Sequence, residues 1–261
     1  MDGLVLGGTL GEASSLSNAE KFDLVRAAKN QAAGRVPVIM NIAEQTTRAA
    51  IALAEQADQI GADGLMLLPP MRYRADDRET LEYFRQIAAA TALPIMIYNN
   101  PIDYKIEVTL EMFDQMTAWP TIQAVKESTR DLSNITRMLN RFGDRFKILT
   151  GVDTLALESI FMGCHGWVAG LVDAFPAETV AIFRLAKAGR AAEALEIYRW
   201  FLPLLELDIH PKLVQNIKLA EVATGLGTEF VRPPRLPLVG EERARVLKII
   251  EKAMETRPIL P

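Results

Sequence analysis

The feature that most constrains the fold is a regular alternation of short apolar runs with amphipathic helical patterns. Strand runs separated by single helices predict βαβ units and a parallel sheet. Strands that are apolar almost throughout further predict a sheet covered by helices on both faces. The apolar runs are Gly3–Leu6, Val36–Ile42, Gly64–Leu68, Pro94–Tyr98, Thr121–Lys126, Phe146–Leu149 and Gly166–Gly170.

Helix-start signals follow these runs in turn. Ser17 and Glu20 have the spacing of a capping box and predict a helix to about Ala32. Further helices are predicted to begin near Thr46, Asp77, Thr109, Asp131 and Thr154. After the seventh apolar run the alternation stops, and helices follow one another at about 176–188, 191–207, 211–224 and 241–256.

Seven βα units favour a closed (β/α)8 TIM barrel with extra C-terminal helices over other parallel folds. A closed barrel needs eight strands, so we expect the first β-strand to be missing from this chain. Residues 1–175 would hold the barrel units, and 176–261 the last barrel helix and a helical extension of the same domain. The alternative is a doubly wound open sheet, which should carry a GxGxxG turn after its first strand.

Composition excludes several classes of function. The net charge is −4, without long runs of either sign, which argues against nucleic acid and against a basic membrane-binding surface. No apolar run approaches the ~18 residues of a spanning helix. The only cysteine is Cys164, so no intramolecular disulfide forms and a cytoplasmic location is expected. His165 and His210 have no ligand-like spacing, and no dedicated metal site is expected.

Polar residues follow several of the predicted strands. In a parallel barrel the carboxyl ends of the strands open onto one mouth, where catalytic groups gather. Helix caps and turns would produce much of the same pattern. The residues in question are Thr9, Glu12, Asn41, Glu44, Tyr98, Asn99, Lys126, Glu127 and Asp153.

Lys126 and Tyr98 form the pair with a mechanism. Lys126 ends an apolar strand, and a desolvated lysine can lose its proton and attack a carbonyl carbon. Schiff-base formation also needs a proton shuttle, which a tyrosine hydroxyl on the preceding strand can supply. In the alternative interpretation Lys126 points to solvent, and Tyr98 is a half-buried aromatic whose hydroxyl is bonded to backbone.

The turn from Gly7 to Glu12 is rich in glycine. Glycines let a backbone come close to a ligand, and successive N–H groups can form a nest for a carboxylate. Tight strand-to-helix turns also use glycine for geometry alone, so the turn by itself is a weak signal of binding.

Four motifs in order resemble the dihydrodipicolinate synthase / N-acetylneuraminate lyase family over essentially the whole chain. They are Gly8–Glu12, Tyr98–Pro101, Val125–Ser128 and Gly151–Asp153. The resemblance implies an eight-unit barrel with extra C-terminal helices, a homotetramer, and a Schiff base between a lysine and a 2-oxo acid. It implies no cofactor.

The resemblance also implies roles for individual residues. Lys126 would be the Schiff-base lysine, Tyr98 the proton-transferring tyrosine and Thr9 a third catalytic residue. Gly8, Thr9 and Leu10 would lie at the substrate carboxylate. The residues expected to bind substrate are Gly8, Leu10, Asn99, Gly151, Asp153 and Gly170.

Three departures from the family's synthases weigh against lysine biosynthesis. Leu10 stands in place of the second threonine of a GTTGE motif, so the hydroxyl relay through that threonine is lost. Met71 and Arg72 occupy the positions of a paired Tyr-Tyr. The arginine that binds the second substrate's carboxylate is replaced within 102–105.

A subgroup that deaminates Δ1-pyrroline-4-hydroxy-2-carboxylate in hydroxyproline breakdown looks more similar. The expected products are 2-oxoglutarate semialdehyde and ammonia, and the expected ligand is a small 2-oxo acid or cyclic imino acid. The stretches that carry this resemblance are 44–47, 98–101 with Tyr104 and Lys105, 217–219 and 232–236.

Other functions remain open at this point. An aldolase or dehydratase of a 2-oxo-3-deoxy sugar acid would use the same residues, and so would dihydrodipicolinate synthase itself. A non-catalytic binding barrel is the alternative from another class, motivated by the strand that we expect to be missing. The retained pair of Lys126 and Tyr98 argues against it.

Overall fold

In a computed structural model, residues 1–70 and 73–261 are described, so the predictions for Met71 and Arg72 lie outside the described residues. The chain divides into two compact units, 1–149 and 150–261. The division predicted from the sequence, with a boundary at residue 175 inside one domain, stays a prediction.

Each of the seven predicted strands is present in the part of the chain that the structure describes. Their ends lie within three residues of the predicted ones. The strands are β1 (Leu4–Leu6), β2 (Val38–Ile42), β3 (Gly64–Leu67), β4 (Ile95–Asn99), β5 (Ile122–Glu127), β6 (Lys147–Thr150) and β7 (Gly166–Trp167).

The helices also follow the sequence signals. The capping box at Ser17 is present, and Thr46, Thr109 and Asp131 cap helices as predicted. Within the described residues, no helix is both long and apolar enough to span a membrane. The helices are α1 (Asn18–Ala32), α2 (Thr47–Gln59), α3 (Asp77–Ala89), α4 (Pro101–Tyr104), α5 (Leu110–Met116), α6 (Leu132–Phe142), α7 (Ala156–Phe161), α8 (Pro176–Lys187), α9 (Ala191–Leu205), α10 (Leu213–Thr224) and α11 (Gly240–Glu255).

In unit 1 the strands β1 to β5 are parallel, and each pairs with the next along the chain. Every residue of β3 and β4 is buried. Strands buried on both faces are the arrangement predicted by their continuous apolar sequence. The carboxyl ends of β4 and β5 therefore lie side by side, and they carry Tyr98 and Lys126.

The pairing of β4 with β5 contains a bulge. Ile95 pairs with Ile122, but Met96 pairs with Ala124, so Gln123 has no counterpart on β4. Paired residues share a face and a one-residue slip would reverse every face. The bulge therefore lets the buried Ile122 share a face with Ile95 while Lys126 still stands opposite Tyr98.

The start of β5 is held by Arg145. Its guanidinium donates hydrogen bonds to the backbone oxygens of Met116, Thr117, Trp119 and Ile122 at 3.2, 3.0, 2.9 and 2.8 Å. The planar guanidinium has five N–H donors, so it can bind all four backbone oxygens at once. The strand that carries Lys126 is thus fixed at its first residue, Ile122.

In unit 2, an aromatic cluster lies between α8 and α9. Phe175 packs edge to face on Trp200 and Phe201, with ring centroids 5.8 and 5.6 Å away. The C-terminal residues join this region through Arg257, which pairs with the buried Glu178 at 2.5 Å. The helices that follow the last strand therefore have a core of their own.

Candidate active site

Lys126 and Tyr98 are brought together by the register of β4 and β5. They are direct cross-strand partners, and the Lys126 Nζ lies 4.2 Å from the centroid of the Tyr98 ring. Tyr98 is 8% exposed and Lys126 is half-buried. The aromatic face stabilises an ammonium group at this distance. The sequence prediction that these two residues are near neighbours is confirmed.

The Tyr98 hydroxyl is held by Asn100, the residue that caps α4. The amide Nδ2 of Asn100 donates to the Tyr98 hydroxyl at 3.2 Å and to Asp103 Oδ2 at 2.8 Å. Asn100 also caps α4 by accepting a hydrogen bond from the backbone N–H of Asp103. Because its acceptor bond fixes the amide orientation, the Asn100 N–H2 is directed at Tyr98.

Tyr104 is a site residue to which the sequence reasoning gave no catalytic role. Its hydroxyl lies 2.7 Å from the Thr9 Oγ1, and its ring packs edge to face on Tyr98 with centroids 5.4 Å apart. Burial raises the pKa of Tyr104, the nearby Tyr98 adds to the rise, and the Thr9 hydrogen bond and the Lys126 charge oppose it. Tyr104 therefore keeps its proton at neutral pH.

The turn after β1 holds Thr9 beside this group. Gly7 has φ +67°, and a side chain at Gly11 would come within 3.2–3.3 Å of backbone atoms of Gly7 and Gly8. Both positions therefore favour glycine. Asn41, at the end of β2, donates from its Nδ2 to the Gly7 oxygen at 2.8 Å. The turn is thus closed on itself and fixed to the neighbouring strand.

The next residues on β4 and β5 lie on the opposite face. The amide of Asn99 pairs with the backbone of Val108, donating at 3.0 Å and accepting at 2.9 Å. Glu127 accepts from the Thr129 N–H at 2.8 Å and from the Asn134 Nδ2 at 2.9 Å. Burial raises the pKa of the Glu127 carboxyl, against the lowering effect of these donors. Substrate contact by Asn99 stays a prediction.

In unit 2, Asp153 is fully buried and organises the chain around β7. Its carboxylate accepts from the Trp167 Nε1 at 2.9 Å, from the Gly170 N–H at 3.1 Å and from the Leu171 N–H at 2.9 Å. Its backbone oxygen accepts from the Tyr198 hydroxyl at 3.1 Å. The substrate-binding roles predicted for Gly151, Asp153 and Gly170 stay predictions.

Unit 1 therefore gathers Lys126, Tyr98 and Thr9, together with Tyr104. Gly8 and Leu10 flank Thr9 in its turn, and both are half-buried. An amine beside two phenols and an alcohol can form and protonate a Schiff base. Among residues 1–70 and 73–261, no group of three or more His, Cys, Asp or Glu side chains is suited to holding a metal ion.

Comparisons with known proteins point to one family. A model described as the dihydrodipicolinate synthetase family matches residues 1–253. The chain is similar to the 4-hydroxy-tetrahydrodipicolinate synthase of Moorella thermoacetica, with 32% identity over 98% of this chain and 86% of the relative. It is also similar to that of Thermomicrobium roseum, with 31% identity over 100% and 86%.

Solved structures agree with the fold predicted from the sequence. The 4-hydroxy-tetrahydrodipicolinate synthase of Methylacidiphilum fumariolicum SolV superposes with a TM-score of 0.92 and 28% identity, over 98% of this chain and 85% of the other. The dihydrodipicolinate synthase of Aquifex aeolicus gives 0.91 and 27%, over 97% and 86%. The chain has this TIM-barrel-like fold, and the predicted fold class is confirmed.

Proposed function

The chain belongs to the dihydrodipicolinate synthetase family, a family of Schiff-base lyases, and on that premise we propose that Lys126 forms a Schiff base with a 2-oxo acid. One observation carries the proposal. The Lys126 Nζ lies 4.2 Å above the ring of its cross-strand partner Tyr98, at the carboxyl ends of two parallel strands. Catalytic groups of such folds collect at these strand ends.

In the proposed first step, the neutral amine of Lys126 attacks C2 of the 2-oxo acid and the carbonyl oxygen takes up a proton. The resulting carbinolamine loses its hydroxyl as water after a second proton transfer, which leaves a protonated imine. Tyr98 supplies these protons and takes them back, and the Thr9 hydroxyl assists. Loss of a proton from C3 then gives an enamine, for which the protonated imine is the electron sink.

The substrate carboxylate would lie at the turn after β1. Gly8 and Leu10 contribute backbone N–H groups there, and a nest of successive N–H groups suits an anion. The turn is rigid, because Gly11 packs on Gly7 and Asn41 holds the Gly7 oxygen. A rigid nest fixes the C2 carbon relative to Lys126, which is what the attack requires.

The first reaction that we propose for the enamine is the one catalysed by 4-hydroxy-tetrahydrodipicolinate synthases. The relatives at about 30% identity carry that name, and they align with nearly all of this chain. They favour the synthase over the Δ1-pyrroline-4-hydroxy-2-carboxylate deaminase expected from the sequence. The enamine would then attack a second substrate in a condensation.

The deaminase is the second candidate, and Asp103 is the observation that favours it. Asp103 lies within the stretch where the resemblance puts the synthase arginine, and its exposed carboxylate would repel a second substrate's carboxylate. In the deaminase, Lys126 displaces the ring nitrogen by transimination. Loss of a C3 proton and of the C4 hydroxyl as water leaves an unsaturated Schiff base, which tautomerises so that C5 becomes an imine. One water hydrolyses this imine and releases ammonia, and a second water hydrolyses the Schiff base, which frees Lys126 and gives 2-oxoglutarate semialdehyde.

Borohydride reduction tests the shared step. Wild-type protein incubated with pyruvate and borohydride should gain the mass of one reduced pyruvate, and peptide mapping should place the label on Lys126. Lys126→Ala should gain none. Unlabelled wild-type protein would sink the proposal and would favour a non-catalytic binding barrel.

Product analysis separates the candidates after labelling. Incubation with the substrates of the synthase should give 4-hydroxy-tetrahydrodipicolinate without ammonia release. Ammonia released from Δ1-pyrroline-4-hydroxy-2-carboxylate would identify the deaminase instead. Pyruvate released from a 2-oxo-3-deoxy sugar acid would identify an aldolase.

The homotetramer implied by the family resemblance is also a proposal. Sedimentation velocity on the purified chain measures it directly, and a tetramer should sediment as a single species of four chains. A monomer at micromolar concentration would contradict it.

A further inference from the structure

We infer that Tyr104 is a positioning residue of the reacting centre, which holds the Thr9 hydroxyl in place beside Tyr98 and Lys126. This inference rests on the proposed Schiff-base function. Its first support is the 2.7 Å hydrogen bond between the Tyr104 hydroxyl and the Thr9 Oγ1. The bond connects residues 95 positions apart in the sequence, so the fold and not local chain geometry brings them together.

The second support is the position of the Tyr104 ring. It packs edge to face on Tyr98 with an interplanar angle of 80°, and Tyr98 in turn has the Lys126 ammonium over its ring. The side chains of Thr9, Tyr104, Tyr98 and Lys126 therefore form one continuous group, and the Lys126 charge acts on Tyr104.

The Thr9–Tyr104 hydrogen bond joins two hydroxyl groups, and either of them can be the donor. Burial raises the pKa of Tyr104, so its phenol keeps its proton at neutral pH and is able to donate to Thr9. If Tyr104 donates to Thr9, the Thr9 hydroxyl proton is free to point to the carbinolamine oxygen. Without Tyr104 the small Thr9 hydroxyl could rotate among three staggered positions, and fewer molecules would have the proton correctly placed.

The short helix α4 fixes both tyrosines at once. Its N-cap Asn100 donates to the Tyr98 hydroxyl at 3.2 Å, and its last residue is Tyr104. The backbone N–H of Tyr104 donates to the Asn100 oxygen at 3.0 Å, which closes the turn. A single helical turn between β4 and α5 thus sets the positions of two hydroxyl groups relative to Lys126.

Timed borohydride quenching with pyruvate as the probe tests the inference. In Tyr104→Phe the ring stays and only the hydroxyl is lost. The maximal labelling rate should fall about fivefold to tenfold, as expected for one hydrogen bond between neutral groups. The pyruvate concentration at half-maximal rate should stay within about twofold, because ground-state binding is untouched.

A double-mutant cycle shows whether Tyr104 acts through Thr9. Thr9→Val removes the hydroxyl at nearly constant shape, and adding Tyr104→Phe to it should slow labelling by less than about twofold. Tyr83→Phe is the matched control. Tyr83 lies in α3, and the variant loses a phenol whose hydroxyl donates to the backbone oxygen of Glu44. It should label at the wild-type rate.

Each failure has a separate signature. If the wild-type protein is labelled and Tyr104→Phe is labelled at the same rate, the inference is overturned and the proposed function stands. Losses that multiply in the double variant would also overturn it, because Tyr104 would then act independently of Thr9. Wild-type protein that takes up no pyruvate would overturn the proposed function and this inference together.

Discussion

Both faces of the β4–β5 pair carry polar residues at the carboxyl ends of the strands, but these residues differ in burial and in hydrogen bonding. On one face, Tyr98 and Lys126 lie together in a partly open group with Thr9 and Tyr104. On the other face, the amide of Asn99 and the carboxylate of Glu127 are buried and hydrogen-bonded to the loops that follow the strands. Neighbours in sequence thus lie in different surroundings.

This difference follows from the geometry of a strand. Successive side chains point to opposite faces, so a strand that ends in two polar residues directs them to different surroundings. Glu127 is 4% exposed and must have its charge satisfied inside the protein, whereas Lys126 is half-buried and can meet a ligand. We expect substitutions on the first face to change chemistry and those on the second to change stability.

The largest expected effect comes from Lys126→Ala. It removes the amine and should abolish pyruvate labelling, while the free energy of unfolding should change by less than about 1 kcal/mol, because the Lys126 side chain is only half-buried. Mass spectrometry and urea unfolding measure the two quantities. Lys147→Ala, at an exposed lysine, is the control. A labelled Lys126→Ala protein would mean that another lysine carries the reaction.

The next effect is that of Tyr98→Phe, which keeps the ring beside Lys126 and removes the hydroxyl. Loss of a proton-transferring group typically costs about 10²- to 10⁴-fold, so the labelling rate should fall by at least about 10²-fold. The free energy of unfolding should fall by about 1 kcal/mol, because the hydrogen bond that Asn100 donates to this hydroxyl is lost while Asn100 still donates to Asp103. Rates within about threefold of wild type would show that the protons travel by a route without Tyr98.

Glu127→Ala tests the other face. Its removal leaves the Thr129 N–H and the Asn134 amide without a buried acceptor, which should lower the free energy of unfolding by about 2–4 kcal/mol. Glu127→Gln keeps one acceptor oxygen and should lose less. At temperatures where both variants are folded, pyruvate labelling should persist. If Glu127→Ala is folded but is not labelled, the expectation that this face affects stability and not chemistry is wrong.

Much of the molecule was predictable because it depends on local sequence. The seven strands, the capping box at Ser17 and the neighbouring positions of Tyr98 and Lys126 all follow from apolar runs and helix-start signals. The amine, the phenol and the Thr9 turn could be found for the same reason, since each directly follows an apolar run.

The rest depends on contacts that local patterns do not encode. Tyr104 belongs to a four-residue helix, too short for any periodicity, and reaches Thr9 from 95 positions away. The faces of Asn99 and Glu127 depend on the bulge at Gln123, since a shift of one residue reverses them. The sequence predicted that Asn99 and Glu127 lie with Tyr98 and Lys126 at one mouth. The structure directs these two pairs to opposite faces of β4 and β5.

The smallest expected effect is a pH dependence of the free energy of unfolding, which we expect to arise from Glu127. Burial raises the pKa of Glu127 above its ordinary value near 4.5. Between that value and the raised one, the unfolded chain has lost its proton and the folded chain retains it, so stability falls as pH rises. The unfolding free energy of wild type relative to Glu127→Gln, which cannot titrate, should therefore decline from pH 4 upward and then level off. Urea unfolding of both proteins at each pH measures this difference. A difference that instead grew with pH would mean that the hydrogen bonds from Thr129 and Asn134 outweigh burial, and that this face holds a stabilised carboxylate.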